Sequence, residues 1–207
     1  MSCNDFSYFH YKHCLEVFQE SGYTFHCCRD EKPKSKSIVL RHDVDSHLNN
    51  ALRFAEIEYS LGITSTYFIR LHASYNPYFL PNYRMIHEIN SMGHEIGLHF
   101  EPFFYKDNEL TGLNYELCDM NLRFILSYSL SFTTHEPGKS NLAFKKDSNF
   151  LKFAKKDFDV IDGYKYISDS SGRWREGCMC NFVDKVEKLY INTHPTWWYE
   201  ESPIENF

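Results

Sequence analysis

From Ser37 onward the chain alternates short β-branched and aromatic runs with stretches of helical periodicity, which restricts it to strand–helix units around a central sheet. Residues 37–44 (SIVLRHDV) read as a first strand. Helical spacing then runs through Leu48, Leu52, Ala55 and Tyr59, with Gly62 as its C-terminal stop. Residues 63–71 (ITSTYFIRL) read as strand two, 81–92 as a second helix ended by Gly93, and 94–100 (HEIGLHF) as strand three. A third helix is expected over 113–130 and a fourth strand over 131–135, with further strands at 158–161 and 189–194. Such alternation predicts an α/β fold, a small, distorted and incomplete (β/α) barrel in which residues 1–207 form one domain.

Composition supports that reading and removes several function classes. Apolar residues at 43% and charged residues at 24% describe a chain with a packed core rather than a disordered one. The formal charge, 22 − 28 = −6, argues against sequence-independent binding to nucleic acid. No apolar run approaches the roughly 20 residues needed to cross a bilayer, so no transmembrane segment is expected. The opening MSCNDFSYFHYKHC lacks a basic segment followed by an apolar one. Seven cysteines, with Cys27 and Cys28 adjacent and Cys178 and Cys180 two apart, form no disulfide framework. These features together point to a cytoplasmic protein whose thiols are buried and inert. A zinc knuckle from His26, Cys27 and Cys28 matches no common spacing. Aromatics make up 17% of the chain, enough for some Tyr and Trp to line a groove as well as the core.

The predicted strand ends carry the chemistry. Arg41-His42-Asp43-Val44-Asp45 closes strand one, and strand alternation places Asp43 and Asp45 on one side. Two carboxylates so placed repel each other unless a cation or an arginine lies between them. In residues 94–101 (HEIGLHFE) the same alternation sets Glu95, Gly97, His99 and Glu101 on one face and Ile96, Leu98 and Phe100 on the other. Gly97 then leaves space above the barrel interior, and His94, on the opposite parity, bonds locally. His135 and His194 stand at two further strand ends. A loop from Ser168 to Trp174 ends in Arg173-Trp174, and Trp197-Trp198 follow His194. A lone Asp or His at such a place reads as structural, but the Asp43–Asp45 pair flanked by Arg41 and His42 reads as functional on its own, and several strand ends delivering Asp or His read as a metal-centred site.

The order HDVD, GHEIGLH, HEPG and a late THP, with the opening FSYFHYKHCLEVFQESGYTF, resembles the NodB-homology polysaccharide deacetylases (carbohydrate esterase family 4). The likeness is greatest to the short bacterial members of surface-polysaccharide biosynthesis, and it covers nearly the whole chain. It implies a distorted barrel, a divalent metal held by one Asp and two His, and hydrolysis of an N-acyl group on an amino sugar. Residue by residue, Asp43 matches the catalytic base, Asp45 the metal-ligand Asp, His99 the first metal His and His194 the catalytic acid. Phe103 stands where the second metal His is usual, and His135 stands where the family carries an Arg near the base. His135 and Glu101 are the available third ligands; His135 is favoured because imidazole suits zinc, the expected cofactor. Arg41, Arg70 and Arg173 are the candidate partners of Asp43. Trp197, Trp198, Arg173 and Trp174 are the candidates for holding an amino-sugar substrate, which a carrier could present. Two rivals remain open at this level: a deformylase or other C–N hydrolase on the same barrel, and a non-catalytic sugar-binding descendant favoured by Phe103.

Overall fold

The computed structural model describes residues 5–30, 35–126, 131–136 and 163–203. Seven strands, β1 (Thr24–His26), β2 (Ser37–Val44), β3 (Thr66–Ile69), β4 (Glu95–Phe100), β5 (Phe132–Thr134), β6 (Lys165–Ser168) and β7 (Lys188–Thr193), form one sheet in which every pair is parallel. Among the described residues four α-helices accompany them: α1 (Tyr8–Glu20), α2 (Leu48–Ser60), α3 (Leu80–Ser91) and α4 (Glu109–Phe124). Among the described residues the strand order β5-β4-β3-β2-β7-β6 is the cyclic order of a singly wound barrel, with β5 and β6 as its two edges. The sheet is thus a curled, open half-barrel with helices packed on it. β1 and β3 share one edge of β2, because β1 pairs with residues 37–39 and β3 with residues 41–44, while β7 holds the other edge.

Alternation along the strands sorts the core into two parts. Leu40, Val44, Tyr67, Ile69, Ile96, Leu98 and Phe100 point to the helices and join Tyr11, Leu15 and Phe18 of α1 with Phe54 and Ala55 of α2. Val39, Phe68 and Tyr190 point the other way and fill the barrel interior with Cys28 and Tyr164. The Arg41 guanidinium lies against this inner group, 5.3 Å from the centre of the Tyr190 ring and 5.7 Å from that of Phe68.

Helix ends follow local chemistry. The Ser7 hydroxyl caps α1 by accepting the His10 N–H at 3.1 Å. Gly62 (φ 68°) and Gly93 (φ 96°) take left-handed backbone just past α2 and α3, as their positions in the sequence require.

Where the elements differ from expectation, packing decides. β3 is shorter than 63–71 because its ladder to β4 runs only from Thr66–Glu95 to Ile69–Leu98. α4 starts four residues earlier than 113, since Gly112 is interior to the helix and admits the Tyr105 ring where a Cβ would collide. It ends at Phe124, because Ile125 turns left-handed at φ 51°. β1 and β6 were not anticipated, and the strand expected at 158–161 lies outside the described residues. No helix among the described residues is long and apolar enough to cross a membrane.

Candidate active site

Each of six parallel strands is followed immediately by a polar residue: Asp45 after β2, Arg70 after β3, Glu101 after β4, His135 after β5, Asp169 after β6 and His194 after β7. Because the strands are parallel, all six arrive at one rim, the C-terminal face where barrel sites are built. Arg41, Asp43, His99 and Asn192 rise from within the strands beneath them.

Asp45, His99 and His135 form a near-equilateral triangle of donor atoms. Asp45 Oδ1 lies 3.5 Å from His99 Nε2 and 3.3 Å from His135 Nδ1, and the two imidazole nitrogens are 3.3 Å apart. A tetrahedral site with metal–ligand bonds of about 2.0–2.1 Å has edges of about 3.3–3.4 Å, so these three residues fit a divalent cation. Asp45 Oδ1 is buried without a hydrogen-bond partner, as an oxygen awaiting a cation would be. The other His99 nitrogen bonds Thr133 Oγ1 at 2.7 Å, which fixes the ring. Burial acts to raise the Asp45 carboxyl, and contact with His135 and His99 brings it well below its ordinary value.

Asp43 stands apart from the triangle with different company. Its Oδ2 accepts hydrogen bonds from Arg41 Nη2 at 2.9 Å and from Asn192 Nδ2 at 3.0 Å, whereas its buried Oδ1 has no hydrogen-bond partner. Of the three candidate partners, therefore, Arg41 meets Asp43. Burial favours the neutral acid, but Arg41, His99 and His194 together hold Asp43 below its usual value and keep it ionised. Asp43 Oδ2 is 3.9 Å from His99 Nε2 and 3.9 Å from His194 Nε2.

His194 is oriented by a residue the sequence reading missed. Asp169 accepts the His194 backbone N–H at 2.9 Å and bonds its Nδ1 at 2.6 Å, while its second oxygen accepts Trp198 Nε1 at 2.7 Å. Burial opposes the charged imidazole, and the hydrogen bond and charge of Asp169, with Asp43 and Asp45, raise His194 to about 9. His194 is an imidazolium at neutral pH, with Nε2 turned toward Asp43. Asp169 follows β6 directly, as Asp45, His135 and His194 follow their strands, but β6 itself was not anticipated, so the sequence offered no signal for it.

The remaining candidates are distributed unevenly. Glu101 is turned away onto Arg70 at 2.5 Å and is not part of the triangle; Arg70 also donates to the Asp45 carbonyl at 3.2 Å. Phe103 lies in a 3-10 turn (Pro102–Phe104), is 44% exposed and stacks on Phe104. Trp197 follows His194 in another turn, half-buried, and exposed Arg173 begins one turn after Asp169. Trp174 is 8% exposed and belongs to the core, so it has little face to offer a ligand. Trp198 has none: it is fully buried among Phe6, Tyr11 and Phe54. Gly97 leaves no gap, because a Cβ there would sit 2.6 Å from the Phe68 ring and 2.8 Å from the Ser131 carbonyl. His94 stands away from the rim site, as expected, but its hydrogen bonds are long-range rather than local: it accepts from the Ser65 N–H and meets the Ala55 carbonyl of α2. A surface depression unrecognised in the sequence runs beside β6, lined by Tyr166, Ser168, Ser170, Arg175 and Glu176.

No family model, curated protein or solved structure matches the chain.

Proposed function

We propose that the protein is a metal-dependent amide hydrolase that removes an N-acyl group, N-acetyl foremost, from an amino sugar in surface-polysaccharide biosynthesis, on a half-barrel of the NodB-homology type. The observation that carries this reading is the placement of Asp43 Oδ2 at 3.9 Å from both His99 and His194, between a metal-type triangle and an imidazolium. An ionised carboxylate and a protonated imidazole, each held by its own buried partner, are what proton removal and proton delivery in one reaction need.

Asp45, His99 and His135 would hold a divalent cation, zinc in this reading, and it would supply Lewis-acid chemistry that activates water and polarises the acyl carbonyl. Asp43 takes the proton of the attacking water at Oδ1, the oxygen that Arg41 and Asn192 leave free. Its ionisation is maintained by Arg41, so the base is ready at neutral pH. His194 gives its Nε2 proton to the departing amine, and Asp169 keeps Nδ1 occupied so that this proton is delivered from Nε2. Arg173 and Trp197 bind the sugar from the two loops next to Asp169 and His194. Trp174 can add only an edge. The reaction fits a cytoplasmic step on a free or carrier-linked sugar.

Phe103 is the argument for a sugar-binding descendant without catalysis. His135 weakens it by supplying a third donor to the triangle, and a binder has no use for a base–acid pair with buried supports. The test is to strip the whole protein of metal, reload zinc, and measure acyl release from N-acetyl and N-formyl amino sugars, free and nucleotide-linked. Zinc-dependent acetate release is expected. Formate release alone would make the protein a deformylase, and tight sugar binding without release of either acid would overturn the hydrolase reading.

A further inference from the structure

A second group of ligand-type side chains lies elsewhere and shares no residue with the site at the rim. His10 and Cys14 are four residues apart on α1, so they project from one face of the helix. Cys178 and Cys180 come from the long connection between β6 and β7, Cys178 just before its 3-10 turn (Met179–Phe182) and Cys180 within it. The four donor atoms all lie within 4.8 Å of one another. His10 Nε2 is 3.2 Å from Cys178 Sγ and 3.5 Å from Cys14 Sγ. His10, Cys14 and Cys178 are buried and Cys180 is half-buried, which leaves one side by which an ion can enter.

Inert thiols account poorly for this arrangement. Elsewhere in the chain single buried thiols find separate neighbours: Cys27 donates to the Ser65 carbonyl at 3.2 Å, and Cys28 lies 3.9 Å from the Tyr190 hydroxyl. Here three thiols converge on one imidazole, whose Nδ1 has no hydrogen-bond partner among the described residues. The buried ring is therefore held by sulfur contacts at Nε2 alone, and thiols are weak hydrogen-bonding groups. A disulfide between any two of the three would leave the third, and the histidine, unaccounted for. Zinc bound by thiolate and imidazole has bonds of about 2.3 Å and 2.0–2.1 Å, which give tetrahedral S–N edges of about 3.6 Å. The two S–N distances already approach that value.

We infer that His10, Cys14, Cys178 and Cys180 bind one zinc ion as a closed, structural site that clamps α1 to the β6–β7 connection. Binding replaces three S–H bonds by three Zn–S bonds and releases three protons to solvent; His10 binds as the neutral imidazole. Four protein ligands leave no open position, so the ion does no chemistry of its own. Its effect is on the connection that starts at Asp169 and carries Arg173, which otherwise has a single 3-10 turn of regular structure. Fastening its middle to α1 steadies the segment that positions His194.

The test reads sulfur ligation, which the Asp–His–His triangle cannot produce. The whole protein is expressed in zinc-limited medium with cobalt, and the near-ultraviolet thiolate-to-cobalt charge-transfer absorption is measured. Expected is an intense band equivalent to one cobalt per chain, retained in Asp45→Asn and lost in the double variant Cys178→Ser/Cys180→Ser. Should that variant fail to fold, X-ray absorption at the zinc edge of the unaltered protein decides, with sulfur neighbours expected at about 2.3 Å. Cobalt-loaded protein without the band, a zinc edge showing only nitrogen and oxygen neighbours, or a disulfide joining two of these cysteines in anaerobically purified protein would each overturn the inference. None of these results depends on hydrolytic activity, so this site can fail while the rim site stands, and the reverse.

Discussion

Asp43 and Asp45 are two residues apart on one strand end, yet their surroundings assign them opposite work. Asp45 faces two imidazole nitrogens at 3.3 and 3.5 Å, whereas Asp43 is held by Arg41 and Asn192. Asp45→Asn should therefore lose metal and turnover together. Asp43→Asn should keep its metal and lose turnover by about 10²–10⁴-fold, the usual range for a general base. Metal content and kcat measured side by side check this, and a metal-free Asp43→Asn would reverse the assignment. Asp169 gives a separate prediction with a pH signature. It is a main reason that His194 stands near 9 against the opposing effect of burial. In Asp169→Asn the imidazolium loses that support, so the alkaline limb of the kcat/KM profile should move to lower pH and turnover should fall about 10²-fold or more. An unmoved limb would show that His194 is not the acid. At this scale the sequence was legible where a motif carried the residue, as in HDVD and GHEIGLH. It was silent on Asp169, because a lone Asp in a Ser- and Gly-rich turn looks like a cap until the strand before it is seen.

At the scale of elements, α2 does more than cover the sheet. Glu58 on its inner face is fully buried and accepts the hydroxyls of Ser65 at 2.6 Å and Tyr67 at 2.9 Å and that of Tyr11, with His42 Nε2 at 2.8 Å. Burial favours its neutral form, but His42, His94 and these hydrogen bonds bring it down from 4.5 to about 2. A lowered folded pKa stabilises above the unfolded value and is lost as pH falls through the folded one. Glu58→Gln should accordingly cost about 3 kcal/mol at pH 7, and the gap to the unaltered protein should close between pH 4.5 and about 2, as urea unfolding across that window would show. On β4, Gly97→Ala should cost about 1–3 kcal/mol by pushing Phe68 and the Ser131 carbonyl, read from the same unfolding experiment at pH 7. The parity of β4 was legible because Ile96, Leu98 and Phe100 alternate strictly with Glu95, Gly97 and His99. What filled the space over Gly97 was not, since Phe68 belongs to another strand. Adjacent tryptophans misled for a related reason: Trp198 turns inward to Phe54 and only Trp197 keeps a partly open face.

For the whole molecule, the strand–helix alternation in the sequence was enough to place a central parallel sheet, and the cyclic strand order now makes it a half-barrel. Two short strands escaped notice because three or four residues carry too little periodicity to register. The rim site draws Asp45, His99 and His135 from three strands, so a cation there ties β2, β4 and β5 together. Zinc at a thousandfold excess over its Kd would stabilise the folded chain by about 4 kcal/mol. For a chain of this size that is a rise in Tm on the order of 10 °C, and calorimetry should find it in the unaltered protein but reduced by that amount in Asp45→Asn.

β2 receives its partners at very different times. β1 and β3 are near it in the chain, but its other edge waits for β7, which supplies Asn192 to Asp43 across 149 residues and Thr193 to His42 across 151. Closing a loop that long must precede any return from the contact, so this pairing is intrinsically slow. During synthesis the chain emerges from its N-terminus, so a ribosome that has reached β6 holds a polypeptide whose central strand still has a bare edge and whose Asp43 has no amide partner. Until β7 emerges, that unpaired edge is open to mispairing with another strand.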